Sequence, residues 1–292
     1  MRLLDALKSS TEYLEKARIE DAFADSEMLV LYAAGVDRLA AYMENPEISK
    51  VVLSKIRRLV RRRAKWEPVQ YIVGHIEFLG LKIHVGKGVL IPRPETELMA
   101  EEAISAISNR QSAVSRKQKP GIKQILRILD LCTGSGCIAL ALAKGFPEAD
   151  VYGTDVSKTA LRYAKKNALE NSVENVTFLL GSLFSPLKTG ICFDLIVSNP
   201  PYVKRADIEG LQREIKEWEP LEALDGGVEG LDFYRRIFVG ARGHLCKGGK
   251  IIVELGFGQA MDVESIAVGL GYKNIEVKKD YAGIERILKA EL

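Results

Sequence analysis

Residues 125–136 read ILRILDLCTGSG, an apolar segment that carries Asp130 near its end and runs directly into a glycine-rich turn. The apolar part has the length and composition of a buried β-strand. Gly134 and Gly136 allow the backbone to turn tightly and to pass close to a bound ligand. A helical pattern follows over residues 137–144, so this stretch predicts a strand, a ligand-binding turn and a helix in succession.

Strand and helix patterns alternate from this turn to the end of the chain. Strands are predicted over residues 125–130, 151–154, 176–180, 193–197 and 250–255, and in a terminal pair at 274–277 and 285–288. Helices are predicted over residues 137–144, 158–171, 232–241 and 259–270. Strands that alternate with helices of about 10–15 residues form a parallel, doubly wound α/β sheet, in which ligands bind at the carboxyl ends of the strands.

The first 66 residues predict a small all-helical domain. Apolar side chains recur there at helical spacing, and Gly35 is the only glycine. Residues 49–66 predict a helix with one apolar face and one strongly basic face, whose basic residues lie between 55 and 65. Such a face is typical of a solvated surface and also of a contact with an acidic protein or with RNA.

A β-hairpin is predicted to join this helical domain to the main domain. Its strands are expected at residues 71–73 and 78–85. The predicted organisation is therefore a helical substrate-recognition domain over residues 1–66, a hairpin linker over 67–92 and a main domain over 93–292.

The charge balance limits the kinds of partner. Lys and Arg number 42 against 39 Asp and Glu, which gives a net charge of +3, and the basic excess lies in residues 55–65 and 110–123. The second of these segments is predicted to be a loop that follows a helix ending near Ser108. A nearly neutral chain suits a long polyanion poorly, so nucleic acid is expected only as a minor, local contact of the basic helix.

The composition also leads to expectations about the location of the protein and about metal binding. Hydrophobic residues make up 47% of the chain and charged residues 28%, as in an ordinary globular protein. No apolar run approaches the roughly 20 residues that span a bilayer, and no signal peptide is apparent, so we expect a cytoplasmic protein without a membrane partner. The four cysteines form no C-x-x-C pair, so unpaired thiols and no metal site are predicted.

The glycine-rich turn predicts an adenosine-containing cofactor. Asp155 follows the second predicted strand, where a carboxylate can accept both hydroxyls of a ribose. Asp130 precedes the turn, where it would repel a pyrophosphate but could hold the ammonium group of an amino acid. S-adenosylmethionine has this ammonium group and no phosphate, and it is favoured over a nicotinamide dinucleotide or a purely structural turn, which stay open.

The fourth predicted strand of the main domain delivers Asn199, Pro200, Pro201 and Tyr202 to the same edge of the sheet. Prolines cannot extend a central strand and they fix φ, so this segment predicts a stiff turn. The Asn199 Oδ1 atom and the Pro200 carbonyl can each accept an N–H bond of a planar amide or nucleobase amino group, and Tyr202 can pack on its plane. We therefore predict in-line methyl transfer by positioning, with Asn199, Pro200 and Tyr202 as catalytic residues and no covalent intermediate.

With these residues placed, the chain resembles the HemK/PrmC family of release factor glutamine-N5 methyltransferases over nearly its full length. The resemblance rests on IPRPETE at residues 91–97, on residues 130–136 and 199–202, on Glu219-Pro220 and on Asp280-x-x-Gly283-x-x-Arg286. The Asn-Pro-Pro-Tyr segment alone is shared with adenine-N6 DNA methyltransferases and with RNA guanine methyltransferases. The resemblance implies a class I S-adenosylmethionine-dependent methyltransferase with a doubly wound, mostly parallel seven-stranded sheet.

The resemblance also implies the site residues and the reaction. S-adenosylmethionine, which leaves as S-adenosylhomocysteine, would be held by Asp130, Cys132, Thr133, Gly134, Ser135, Gly136, Asp155, Ser182, Leu183 and Asn199. The glutamine of the Gly-Gly-Gln motif of a peptide chain release factor would be received by Asn199, Pro200, Pro201 and Tyr202.

Two residues depart from the family pattern. Cys132 stands where the family usually has the first glycine of the turn. Ser182 stands where the family usually has an aspartate for the adenine amino group, and a serine accepts a hydrogen bond more weakly than a carboxylate. Leu183 or Phe184 is expected to cover the adenine face.

Two other interpretations stay open. One keeps the chemistry and changes the methyl acceptor to a nucleobase amino group or to a glutamine of a ribosomal protein. The other is a non-catalytic binding module whose N-terminal helices dock a partner, although residues 199–202 and Asp155 argue against it. We expect a monomer, because a protein substrate must reach the cleft.

Overall fold

A computed structural model describes residues 1–115 and 125–292 of the chain, and the side chains of residues 109–115 lie outside that description. The chain divides into two compact units. The helical unit comprises Met1–His75, Val85–Lys87 and Leu211–Glu219, and the sheet unit comprises Ile76–His84, Gly88–Gly210 and Pro220–Leu292. The predicted functional boundaries at residues 66 and 92 stay predictions, because compact units need not coincide with functional domains.

The helical unit contains α1 (Leu3–Lys16), α2 (Ala22–Ala34), α3 (Arg38–Glu44), α4 (Lys50–Arg63), α5 (Val69–Val73) and α9 (Arg213–Trp218). Local sequence signals set the helix ends. The Asp37 and Ser49 side chains accept backbone N–H bonds in the first turns of α3 and α4, and Gly35 ends α2 in a left-handed conformation. Leu14 and Leu29 are fully buried in the core between these helices. The prediction of an all-helical N-terminal region is confirmed.

Part of the basic cluster on α4 is directed into the helical unit. The buried Arg63 guanidinium bonds to Asp25, with Nε and Oδ2 2.5 Å apart, and also pairs with Glu214 of α9. Arg62 pairs with Glu67, again at 2.5 Å between Nη2 and Oε1. The predicted basic face is therefore smaller than the sequence indicates, because ion pairs neutralise two of its arginines.

The hairpin begins later than the sequence predicts. Residues 71–73 are not a strand but belong to α5, which ends at Gly74 with a φ of 88°. Strand β1 (His75–Phe78) pairs with β2 (Leu81–His84), and the turn places Leu79 and Gly80 at positive φ, as a two-residue hairpin loop favours. The apolar residues of α5 pack into the helical core, which gives them a buried environment without a strand partner.

A seven-stranded sheet forms the centre of the sheet unit, in the order β5-β4-β3-β6-β7-β9-β8. Its strands are β3 (Arg127–Leu131), β4 (Asp150–Asp155), β5 (Val176–Leu180), β6 (Phe193–Ser198), β7 (Leu245–Glu254), β8 (Lys273–Lys279) and β9 (Glu285–Glu291). Strands β3 to β7 run parallel, and β9 runs antiparallel to β7 and β8. The predicted doubly wound, mostly parallel seven-stranded sheet is confirmed.

The strand order reverses beside β3, and this position determines where a ligand can bind. Strands β4 and β5 lie on one side of β3, and β6 and β7 lie on the other. Loops that leave neighbouring strands at such a point diverge and open a crevice. Leu131 at the end of β3 is in register with Ser198 at the end of β6, so the glycine-rich turn and residues 199–202 leave the sheet side by side.

The helices of the sheet unit are α6 (Pro94–Ser115), α7 (Cys137–Gly145), α8 (Lys158–Glu170), α10 (Asp232–Ala241) and α11 (Ala260–Gly269), with short 3₁₀ helices at Arg205–Gly210 and Leu221–Ala223. Helix α6 extends to Ser115 instead of ending near Ser108, because no glycine or proline interrupts the intervening sequence. The first part of the predicted basic loop is therefore helical. Residues 116–123 of that loop lie outside the described residues.

The cysteines do not all remain unpaired. Cys192, which precedes β6, and Cys246 of β7 form a disulfide with their Cα atoms 5.1 Å apart, so the prediction of four unpaired thiols is wrong. Cys132 and Cys137 are free. Among the described residues, no three His, Cys, Asp or Glu side chains are grouped so that they could hold a metal ion. No helix in the described ranges is long and apolar enough to cross a membrane.

Candidate active site

A cleft of about 230 Å³ opens in the sheet unit at the carboxyl ends of β3, β4 and β6. Of the predicted site residues, its lining includes Cys132, Thr133, Gly134, Ser135, Asp155, Ser182, Leu183, Asn199 and Pro201. Asp130, Gly136, Pro200 and Tyr202 are not among the lining residues. The sheet therefore gathers four residues of the glycine-rich turn and two of the four residues at 199–202 around one cavity, and their individual roles stay predictions.

The two glycines of the turn are needed for different reasons. Gly134 has a φ of 55°, and a Cβ added there would meet nothing closer than 3.9 Å, so its backbone conformation explains the glycine and the space above it stays open to the cleft. Gly136 has a φ of 80°, and an added Cβ would lie 3.0 Å from Ala164 and 3.1 Å from Phe178. Gly136 is thus explained by the packing of the turn and Gly134 by its positive φ, and a close approach of a ligand to Gly134 stays a prediction.

Cys132 adopts a conformation that normally belongs to glycine. Its φ is 58°, in the left-handed region that L residues rarely enter. Burial, with a smaller contribution from the charge of Asp155, raises the pKa of its thiol, which is therefore a neutral side chain that packs against the core. Cys132 replaces the usual glycine of the family but keeps the backbone conformation of a glycine, which strains the chain at this residue.

Asp155 at the end of β4 is held by backbone donors. Its Oδ2 accepts from the Gly134 N–H at 2.9 Å, and its Oδ1 accepts from the Ser157 N–H at 2.8 Å. Burial raises the pKa of this carboxyl, and both backbone bonds oppose that rise. Each oxygen keeps a further lone pair for a hydroxyl, so the carboxylate fits the predicted contact with a ribose.

Asp130 binds the glycine-rich turn and the start of α7 through hydrogen bonds to its carboxylate. It is fully buried, and its Oδ2 accepts from the Thr133 hydroxyl at 2.5 Å and from the Ala139 N–H of α7 at 3.2 Å. Burial raises the pKa of this carboxyl to about 7. Its Oδ1 is buried and has no hydrogen-bond partner in the described part of the chain. Because Asp130 does not line the cleft, its predicted contact with an ammonium group stays a prediction.

An arginine that the sequence does not predict lies at the Ser182 end of the cleft. Arg236 of α10 donates from Nη2 to the Ser182 Oγ at 2.7 Å, and its guanidinium lies 5.3 Å from the ring centre of Phe233. Both Arg236 and Phe233 line the cleft. In the sequence, Phe233 and Arg236 are marked only by their spacing of three residues, which places them on one face of a helix. Any amphipathic helix has such pairs, so this spacing does not indicate a binding site.

The arginine changes the hydrogen bonding available at Ser182. Because the Ser182 oxygen already accepts from a guanidinium, its own O–H is free to donate to a ligand. Leu183 lines the cleft beside it, and its contact with an adenine stays a prediction. Phe184 does not line the cleft and instead stacks on His244 with ring centres 4.7 Å apart.

Asn199 follows β6 and is held by a residue from the IPRPETE segment. Its Nδ2 donates to the Thr96 Oγ1 at 3.1 Å, which leaves the Asn199 Oδ1 as an acceptor at the cleft. Thr96 is buried and donates in turn to the Glu254 Oε2 at 2.7 Å. Neither Thr96 nor Glu254 is among the predicted site residues, although Thr96 belongs to a segment that carries the family resemblance.

Tyr202 is held by hydrogen bonds at its side chain and at its backbone. Its hydroxyl donates to the Glu254 Oε1 at 3.2 Å, and its backbone carbonyl accepts from the Gln259 Nε2 at 2.9 Å. Burial, together with the charge of Glu254, raises the pKa of its hydroxyl, which therefore stays protonated. The hydroxyl and the backbone carbonyl of Tyr202 therefore both have partners within the sheet unit.

Two known families match separate parts of the chain, one near the N-terminus and one in the middle. The family described as "PrmC N-terminal domain" matches residues 5–74, and the family described as "Methyltransferase domain" matches residues 122–226. A "Release factor glutamine methyltransferase" from Thermodesulfovibrio yellowstonii is 46% identical over 264 residues, which cover 90% of each chain. The protein of the same name from Geobacter sulfurreducens is 43% identical over 281 residues, which cover 94% of this chain and 92% of the relative.

A solved structure supports the fold independently. The crystal structure of a methyltransferase from Pyrococcus furiosus superposes with a TM-score of 0.50 at 20% identity, and the match covers 73% of this chain and 89% of the other. An identity this low bears on the fold alone.

Proposed function

Because this chain belongs to the family of release factor glutamine methyltransferases, we propose that it methylates the side-chain amide nitrogen (N5) of the glutamine in the Gly-Gly-Gln motif of a peptide chain release factor, with S-adenosylmethionine as methyl donor. The observation that carries this proposal is the position of Asn199. Its Oδ1 is left as an acceptor at the rim of a cleft that also contains Asp155 and the glycine-rich turn.

The cleft has open space and hydrogen-bond donors and acceptors that suit S-adenosylmethionine. Asp155 would accept the ribose hydroxyls, and the open space at Gly134 lets the backbone approach the cofactor. Ser182, with the O–H that Arg236 leaves free, and the ring of Phe233 would bind the adenine. The bound cofactor supplies an electrophilic methyl group on a sulfonium sulfur.

The residues after β6 position the methyl acceptor. An amide nitrogen is a poor nucleophile because its lone pair is delocalised into its carbonyl. Hydrogen bonds from its N–H groups to the Asn199 Oδ1 and the Pro200 carbonyl would hold the nitrogen so that this lone pair points along the line of attack. The amide nitrogen would form the new N–C bond as the methyl–sulfur bond breaks, and the neutral thioether S-adenosylhomocysteine would leave. The methylated nitrogen would be acidic and would release one proton to solvent, so no strong general base is needed.

The proposal extends to the partner and the location. A release factor is the proposed protein substrate, which the family relationship supports. The expected monomeric state, the cytoplasmic location and the minor role of nucleic acid stay predictions.

A comparison of methyl acceptors tests the proposed function. Purified enzyme and labelled S-adenosylmethionine are incubated with a release factor, with a ribosomal protein fraction or with RNA, in three separate reactions. We expect label on the release factor alone, and Asn199→Ala to abolish it. Label on ribosomal protein or RNA, with none on the release factor, would contradict the proposal and support the alternative acceptors.

A further inference from the structure

Two buried residues outside the Asn-Pro-Pro-Tyr segment connect its asparagine to its tyrosine. Val253, which precedes Glu254 at the end of β7, is in register with Ser198, which precedes Asn199 at the end of β6. Glu254 therefore reaches the base of the segment. Its Oε2 accepts from Thr96 at 2.7 Å, and its Oε1 accepts from Tyr202 at 3.2 Å.

The direction of each hydrogen bond follows from the chemistry of the groups. When Glu254 is ionised, its carboxylate can only accept, and the single proton of the Thr96 hydroxyl is then committed to Glu254. The Thr96 oxygen then offers only lone pairs to Asn199. The atom of Asn199 that faces Thr96 at 3.1 Å must therefore be the amide nitrogen.

This direction decides which atom Asn199 presents to a substrate. The two ends of an asparagine amide have almost the same shape, and hydrogen bonds alone distinguish them. In the reversed orientation the Asn199 oxygen would face a Thr96 oxygen whose proton points elsewhere, and an NH₂ group would face the N–H donors of the substrate. Either contact is repulsive.

We propose that Thr96 and Glu254 are positioning residues that lock the Asn199 amide with its Oδ1 toward the methyl acceptor. The effect of this lock on methyl transfer rests on the proposed function. The hydrogen bonds that form the lock are present without cofactor or substrate. Both residues are only 2% exposed, so the bond between Thr96 and Glu254 is shielded from water. The same carboxylate holds the Tyr202 hydroxyl, and the two polar side chains of the segment thus share one anchor.

Kinetics of matched variants provide the first part of the test. Thr96→Val keeps the shape and removes the hydroxyl, and Thr96→Ser restores the hydroxyl. We expect Thr96→Val to lower kcat by roughly 10- to 100-fold, as misplacement of a positioning group does. Its effect on KM for the release factor and on cofactor affinity by calorimetry should be within about threefold, and Thr96→Ser should recover most of kcat. Unaltered kcat in Thr96→Val, or equal losses in both variants, would overturn the inference.

Nuclear magnetic resonance of the cofactor-free protein provides the second part. The Asn199 side-chain amide signal is assigned from its disappearance in Asn199→Asp. We expect one of its protons to exchange slowly with water in the wild type and Thr96→Ser, and rapidly in Thr96→Val and Glu254→Gln. Rapid exchange in the wild type would contradict the lock. Slow exchange in a wild type that does not methylate a release factor would instead contradict the proposed function and leave the lock intact.

Discussion

The Ser198 hydroxyl donates to the Leu131 carbonyl at 2.9 Å and so ties the end of β6 to the end of β3. Leu131 leads into the glycine-rich turn, and Ser198 leads into Asn199. This bond joins the two halves of the site at the point where they leave the sheet. Their spacing is thereby set by the sheet itself, and not by flexible loops.

Removal of this bond should lower the stability of the protein. Ser198→Ala leaves the Leu131 carbonyl without its hydroxyl donor, and we expect a loss of about 1–2 kcal/mol in the free energy of unfolding. Thr154 at the end of β4 is a matched control, because its buried hydroxyl has no partner in the described part of the chain. Thr154→Val should be neutral or stabilising. Chemical denaturation measures both, and equal losses would refute the role of the bond.

The strain at Cys132 should appear in a comparison of three side chains. A non-glycine residue at positive φ costs about 1–3 kcal/mol, so Cys132→Gly relieves strain while it loses some buried surface. We expect Cys132→Gly to change the free energy of unfolding by less than about 1 kcal/mol, and Cys132→Val to destabilise the protein by more than about 2 kcal/mol. Thermal and chemical unfolding of the pair provide the check. A valine variant as stable as the wild type would show that the strain is absent.

Arg236 should contribute to cofactor binding through Ser182. Arg236→Met removes the donor to Ser182 and the cation above Phe233, and we expect the affinity for S-adenosylhomocysteine to fall by about tenfold. The neighbouring Arg235 pairs with Glu229 outside the cleft, so Arg235→Met is the control and should bind normally. Calorimetric titration measures the affinities. Equal affinities for the two variants would remove Arg236 from the site.

The rate of methyl transfer should depend on the ionisation of Glu254. Burial raises the pKa of this carboxyl to about 7, and the bonds from Thr96 and Tyr202 oppose the rise. Two further charged groups act on the Glu254 carboxyl, Glu95 on α6 and Arg286 on β9. The Tyr234 hydroxyl also lies nearby and donates to the backbone carbonyl of Glu254. Above this pKa the carboxylate only accepts and the Asn199 amide is locked, whereas below it the added proton can reverse the Thr96 bond.

We therefore expect kcat to rise with pH through about 7 and to level off above it, with a change of up to about tenfold per pH unit on the acid side. Glu254→Gln should have a lower kcat and lack this step. The pH profiles of both proteins provide the measurement. A step that persists in Glu254→Gln would assign the titration to another group.

The fold could be predicted because hydrophobic periodicity and glycine placement act locally. The strand at residues 176–180 and the helix at residues 232–241 have the predicted bounds, and the sheet order agrees with a doubly wound topology. Residues 71–73 were misassigned because a short apolar run suits a strand or a buried helical turn equally well. The distant pair Cys192 and Cys246 could not be inferred, because only the parallel register of β6 and β7 brings the two cysteines together.

The candidate site was predictable where it consists of contiguous motifs. Asp155 and Asn199 are visible in the sequence because each lies at or just after the end of a strand. Thr96, Arg236 and Glu254 are not, because each comes from a remote element and is connected to the predicted residues only by side-chain hydrogen bonds. Contacts of this kind depend on the packing of helices α6 and α10 and of strand β7, which no local pattern encodes.

Tandem mass spectrometry of a methylated release factor tests the central claim most directly. A release factor is incubated with S-adenosylmethionine and either the wild type or Asn199→Ala, and the modified residue is located in its peptides. The account predicts one added methyl group on the side-chain nitrogen of the Gly-Gly-Gln glutamine with the wild type, and none with Asn199→Ala. A methyl group on any other residue, or equal methylation by both proteins, would contradict it.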